Sequence, residues 1–250
     1  MRRCVYTVLT NNYDTLRMPI ARPAGYEFIC FTDNPNLQVS GWQMRYVQPS
    51  DNPVKQQREI KIRPHVYLPE FKFTIYHDAS TQLKRDISYI IRNYFRGGSM
   101  FKVHPTRRCV YAEGAMCIEL GKDSAESINR QLDIYRADGM PANFGMYETG
   151  IIFRENRADV NAMCDAWWEQ VKQYSHRDQV SLPYVLWKTG YRPGEIAYNT
   201  LSSFITIFKH ANWQPKPAQQ KSVRIHYSNP WSSDKNIGRA YNEFCARVPE

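Results

Sequence analysis

No run of eighteen apolar residues occurs in this chain, so no transmembrane helix is expected. The start, Met1-Arg2-Arg3-Cys4-Val5-Tyr6, enters a strand-like run almost at once. It lacks the long apolar stretch and small-residue cleavage site of a secretory leader, so no signal peptide is expected. The cysteines, Cys4, Cys30, Cys109, Cys117, Cys164 and Cys245, form no C-x-x-C pair. Cys4 and Cys30 sit in apolar runs, where cysteine acts as a small hydrophobe. Reduced thiols in a cytoplasmic compartment are therefore expected, and a cysteine zinc site is not. The histidines show no H-x-x-x-H spacing, which argues against a metal hydrolase. Internal repeats, low-complexity tracts and domain linkers are also missing.

What remains suits one α/β domain over residues 1–250. The hydrophobic fraction is 42%, enough for a sizeable core, and the aromatic fraction is 14%, with 17 Tyr available for stacking. The net charge is +9, from 33 basic and 24 acidic residues, which favours anionic partners: nucleotide diphosphates, acidic glycans, anionic lipid or nucleic acid. The cations are scattered rather than striped and no nucleic-acid-binding motif is present, so no nucleic-acid partner is expected. A basic surface also allows peripheral association with the inner face of a membrane.

Three apolar runs end in polar groups. Residues 4–10 lead into Thr10-Asn11-Asn12-Tyr13-Asp14, and residues 26–34 end at Thr32-Asp33-Asn34. Residues 71–78 end at His77-Asp78-Ala79-Ser80. Buried strands read this way when their carboxyl ends open onto a ligand edge. Tyr13 can stack on a base, and Asp14 can accept from a ribose hydroxyl. Asp33, His77 and Ala79 join the expected edge. On an extended segment Asp78 and Ser80 would share a face, and hard cations want such oxygens. A third strand is expected over 41–47.

Helices are expected over 50–69, 83–95, 113–135 and 156–174, with a further one after Asp178-Gln179. Ser50 or Asp51 can cap the first of these, and Arg58 and Lys61 share one of its faces, suited to a diphosphate. A strand with basic insertions is expected over 100–111. Tyr147-Glu148-Thr149-Gly150 reads as the entry to the buried strand 151–153. Residues 209–221 read as a loop or lid, 223–231 as a late strand and 232–250 as a terminal helix.

In their order along residues 4–231, these stretches resemble a GT-A glycosyltransferase of the glycogenin-like and lipopolysaccharide-galactosyltransferase-like group. They are also similar to a family formerly labelled a domain of unknown function, which includes plant mucilage glycosyltransferase-like proteins. The resemblance implies a Rossmann-like GT-A domain with a mixed central sheet flanked by helices. Its nucleotide-sugar half would cover about 1–110 and its acceptor half about 111–250. It implies a divalent cation, Mn²⁺ or Mg²⁺, and a nucleotide-sugar donor, UDP-linked by default. The acceptor would be a glycan or glycolipid in surface polysaccharide or glycoconjugate synthesis.

Residue by residue, Asp78 matches the first metal carboxylate, and Ser80 stands where a second aspartate is usual. His226, in HYSNPW, matches a late metal-binding histidine. Arg58 and Lys61 match positions near the donor phosphates. Tyr147, Glu148, Thr149 and Gly150 match the wall around the transferred sugar, and Asp178 and Gln179 the pair beside its hydroxyls. For an inverting enzyme, Glu148 and Asp178 are the candidate bases; a retaining enzyme needs none there. A sugar-phosphate nucleotidyltransferase is an alternative, but its Gly-rich phosphate loop is missing after the first strand. A non-enzymatic basic nucleic-acid-binding protein is another.

Overall fold

The computed structural model of the chain describes residues 1–210, and all structural statements below concern those. The first strands are β1 (Arg3–Leu9), β2 (Tyr26–Thr32) and β3 (Gln43–Tyr46), followed by α1 (Pro53–Ile62) and α2 (Pro64–Tyr67). Next come β4 (Phe73–His77), β5 (Thr81–Leu83), α3 (Ser88–Tyr94), β6 (Ser99–Val103), α4 (Val110–Glu119) and α5 (Ala125–Ala137). The remainder is β7 (Tyr147–Glu155), α6 (Ala158–Gln173), α7 (Asp178–Thr189), β8 (Gly194–Ile196), α8 (Tyr198–Ser202) and β9 (Ile205–Ile207).

Seven strands form one sheet in the order β3-β2-β1-β4-β7-β6-β8, and β5 pairs with β9 apart from it. β1, β2, β3 and β4 are parallel. β7 runs against both β4 and β6, and β6 is parallel to β8. The sheet is therefore mixed, with β7 as its reversed strand. That reversal has a functional consequence: the start of β7 lies at the same edge as the ends of β1, β2 and β4.

Side chains alternate across the sheet, as the two-residue period of a strand requires. Cys4, Tyr6, Val8 and Tyr76 enter one core beneath α1, α4, α5, α6 and α7. Val5, Leu9, Ile75 and Phe73 enter a second core, beneath α3 and α8. The mixed sheet flanked by helices is the α/β architecture expected. The five described cysteines are buried free thiols. No described helix is long and apolar enough to cross a membrane.

Several element boundaries differ from the sequence reading, each for a local reason. Asn52 caps α1, its side chain accepting from Lys55 N, rather than Ser50 or Asp51. The helix then breaks at Arg63, because Pro64 disfavours helical backbone in the residue before it. Only Ser88–Tyr94 of the 83–95 stretch is helical, and Leu83 belongs to β5. β6 ends at Val103, since the His104 ring turns the chain by accepting from Thr106 N and Arg107 N. The 113–135 helix is two helices. Gly121, at φ +58°, ends the first, and Ser124 caps the second by accepting from Ser127 N. Tyr147 to Gly150 lie within β7 rather than ahead of it.

Candidate active site

A cleft of about 580 Å³ opens at the strand edge where β1 and β4 end and β7 begins. One face of α1 and the first turn of α7 complete its walls. Lys61, in the last turn of α1, is its central charge. Its side chain is 2% exposed, and its Nζ lies 2.6 Å from Asp178 Oδ2 and 3.5 Å from Asp78 Oδ1. Nζ also donates to Thr149 Oγ1 at 3.4 Å and stands 5.0 Å from the centre of the Tyr76 ring. Arg58, one turn earlier, places Nε 3.4 Å from Asp178 Oδ1 and donates to His176 O.

Two buried supports hold this arrangement. Arg154 donates to the carbonyl oxygens of Lys61 and Ile62, and Tyr6 OH donates to Lys61 O at 2.6 Å. These bonds satisfy carbonyls that a helix end leaves unpaired, so they fix the residue carrying the ammonium. On the other side, Trp167 Nε1 donates to Asp178 O and Ser181 Oγ, anchoring the start of α7. Burial opposes charge on Asp178, but Arg58, Lys61 and Arg177 outweigh it and hold its carboxyl well below the usual carboxylate range. Asp178 is thus favoured as an anion, with a cation against each oxygen. That suits it to positioning and to accepting hydrogen bonds, and it makes a poor base.

Asp78 follows β4 in a turn, with Thr81 N donating to its carbonyl. It does not sit on an extended segment with Ser80, as the spacing suggested, yet both line the cleft. Asp78 Oδ1 accepts from Tyr76 OH at 2.7 Å, and Gln57 Nε2 donates to the same hydroxyl. Oδ2 faces Gly150, where a Cβ would stand 3.2 Å away.

β7 carries an irregularity here: Phe101 pairs with Ile152 while Lys102 pairs with Glu148. A bulge changes which face the following side chains take. Thr149 consequently reaches Lys61, while Glu148 turns to the opposite face. There it sits 2.5 Å from Lys102 Nζ, and Lys102 lies 4.4 Å from the Tyr198 ring centre. Glu148 does not line the cleft, so its expected role as base is not supported. Tyr147 is likewise engaged elsewhere, donating to Glu195 at 2.6 Å.

At the far end, Thr10 Oγ1 donates to Pro53 O and so ties the strand end to α1. Asn11 and Asn12 take positive φ of 54° and 46°, and Tyr13 and Asp14 follow on the cleft wall. Asp14 Oδ2 pairs with His210 Nδ1 at 2.7 Å, and the Tyr13 and His210 rings lie 5.0 Å apart. Asp33 does not line the cleft; both its oxygens accept from Asn11 N and brace the loop. His77 faces the other core against Trp42, with burial lowering its pKa. These two are corrections: they support the ligand edge without touching the cleft.

The cleft also gathers Ala79, Gly150 and Gln179, as expected, and adds Gln57, His176, Arg177 and His210, which the sequence reading did not place there. Gln57 could have been found, since it lies one turn before Lys61 on α1. His210 carries no such signal. Asp123 anchors the loop before α7 by accepting from Ser175 Oγ and His176 N.

His226, the third expected metal ligand, lies outside the described residues, as do Cys245, the strand read over 223–231 and the terminal helix. Among the described residues no group of three His, Cys, Asp or Glu side chains could cage an ion. Asp78 still fits a cation held largely by its substrate. Its side chain is 35% exposed, with Oδ1 engaged by Lys61 and Tyr76 and Oδ2 beside Gly150. Such ions are commonly held by one or two carboxylates, with phosphates and water completing the shell.

A protein-family model described as "TOD1/MUCI70, glycosyltransferase-like domain" matches residues 27–210. The match runs from β2 through His210 and so includes α1, Asp78, β7 and the start of α7. No curated protein matches the chain.

Proposed function

We propose that this chain, which belongs to the TOD1/MUCI70 glycosyltransferase-like family, transfers a sugar from a nucleotide-sugar donor to a glycan or glycolipid acceptor. The observation that carries this reading is the buried Lys61 between Asp178 and Asp78, with Arg58 beside it, at the strand edge of the cleft. A held cation pair next to a partly open carboxylate is what a departing diphosphate requires.

In this reading Tyr13 stacks on the base, and Asn11 and Asp14 meet the ribose. Arg58 and Lys61 face the diphosphate. Thr149 and Gly150 wall the sugar, the glycine leaving room beside Asp78. Asp178 and Gln179 accept from and donate to its hydroxyls. The acceptor hydroxyl oxygen attacks the anomeric carbon, the bond from that carbon to the phosphate oxygen breaks, and the diphosphate leaves with the electron pair and takes up the hydroxyl proton. Asp78, with the Ser80 hydroxyl and His226, would hold a Mn²⁺ or Mg²⁺ ion. When bound, that ion supplies charge for the leaving phosphates. The default donor is a UDP-sugar, and the setting is surface polysaccharide or glycoconjugate synthesis.

A thermal-shift screen of nucleoside diphosphates and nucleotide sugars, with and without Mn²⁺, tests the reading. A ligand at a hundred times its Kd should stabilise the native state by about 2.7 kcal/mol. A flat response to every nucleotide, with and without the ion, would remove it.

A further inference from the structure

We propose that the face built from residues 15–22 and the β5–β9 ladder docks on a lipid bilayer bearing anionic headgroups. Three large aliphatic side chains stand in water on this face: Met18 is 55% exposed, Ile20 65% and Ile207 58%. They belong to one continuous surface. Gln82 Nε2 donates to Met18 O at 2.7 Å, Ala21 N donates to Leu83 O at 3.1 Å, and Thr81 pairs with Ile207 across the ladder. Lys84 N then donates to Phe204 O, and the Phe204 ring stacks on half-exposed Tyr89 at 5.7 Å.

The charge on this face is predominantly positive. Residues 15–22, 81–89 and 204–209 contain Arg17, Arg22, Lys84, Arg85 and Lys209 against the single anion Asp86. None of these cations forms an ion pair among the described residues. Three instead lie over aromatic rings, Arg17 at 3.8 Å from Phe208, Arg22 at 4.9 Å from Phe28 and Arg85 at 5.9 Å from Phe204.

Aliphatic tips ringed by cations, with an aromatic pair at the rim, match the boundary between headgroups and acyl chains. A nucleic-acid backbone would take the charges and leave Met18, Ile20 and Ile207 without a role. The face also borders the cleft: Phe208 N donates to Ser80 O at 2.8 Å, and both Ser80 and His210 line the cleft. If the transfer reading holds, docking brings the site to the level of lipid-borne acceptors. The docking itself does not depend on that reading.

The test is co-sedimentation of the full chain with phosphatidylcholine vesicles and with vesicles that also contain phosphatidylglycerol. Binding is expected only to the anionic vesicles and should weaken with salt. Met18→Asn with Ile20→Asn, which leaves the charge unchanged, and Lys84→Glu with Arg85→Glu should each weaken binding about tenfold or more. Arg130→Glu with Arg136→Glu, on α5 at the opposite sheet face, should leave it unchanged. Melting curves establish that each variant is folded. The proposal is overturned by an absence of binding to anionic vesicles, by equal binding to neutral ones, or by equal losses from the α5 variant. Tighter capture of random RNA, lost in the same Lys84 and Arg85 variant, would also overturn it. Sedimentation reads none of the sugar chemistry, so a failed nucleotide screen and a failed docking test are separate results.

Discussion

Two lysines on opposite faces of the sheet meet nearly the same local circumstances. Lys61 and Lys102 each have side chains 2% exposed, each pairs closely with a carboxylate, and each lies by a tyrosine ring. Only Lys61 faces the cleft. It has a second carboxylate, Asp78, within reach and Arg58 on the same helix face, whereas Lys102 has Glu148 as its one recorded ion-pair partner among the described residues. A buried ion pair is therefore not in itself a site. What distinguishes the first pair is its surplus of charge beside an open volume that a charged ligand can enter.

The largest expected difference between the two is in turnover. Lys61→Met should lower kcat for the donor found in the thermal screen by about 10²–10³-fold, the usual cost of losing one stabiliser of developing charge. Lys102→Met combined with Glu148→Gln should keep kcat within roughly threefold, because that pair touches no reacting atom. Equal losses in the two variants would erase the contrast.

Stability should separate the pairs less sharply. Asp178→Asn leaves buried Lys61 and part-buried Arg58 short of their anion and should cost about 3–5 kcal/mol in urea unfolding. Glu148→Gln, at a carboxylate one-quarter exposed, should cost roughly 1–2 kcal/mol, since the pair is partly open to water on its carboxylate side. A larger loss at Glu148 would mean that the second pair carries the fold.

The smallest expected effects are in pH dependence. The folded pKa of Asp178 is depressed, so its stabilisation is complete above about 3.8 and fades only as pH falls below that. His104, next to the second pair, behaves differently. Burial, then Arg107 and Lys102, push its pKa from 6.5 down to about 4. Its neutral ring accepts two backbone bonds, so the stabilisation is present above about pH 6.5 and is lost as pH falls towards 4. His104→Asn keeps an acceptor and removes the titration, so its melting temperature should be flatter across that window. An unchanged slope would assign the acid limb to another group.

Where the site's position was readable, the clues were short-range. Apolar runs that stop at Asn11, Thr32 and Asp78 mark strand ends, and a shared helix face joins Arg58 to Lys61. The unread part depends on register and distance. Glu148 and Thr149 take opposite faces as strand neighbours do, but the irregularity in β7 decides which of them faces the cleft. The carboxylate of Asp33 looked like a ligand group and instead braces Asn11. His210 reaches Asp14 across 196 residues with no motif to announce it.

Residue order alone was enough for the mixed α/β class, for the strand that ends at Asp78 and for a basic helix face ahead of it. Those features follow from side-chain periodicity and turn chemistry, which act over a few neighbours. Folding in three dimensions settled which carboxylate each buried lysine meets and which of those pairs faces open space. Such pairings depend on strand direction, on one irregularity in β7 and on contacts across more than a hundred residues, where local preference has no reach.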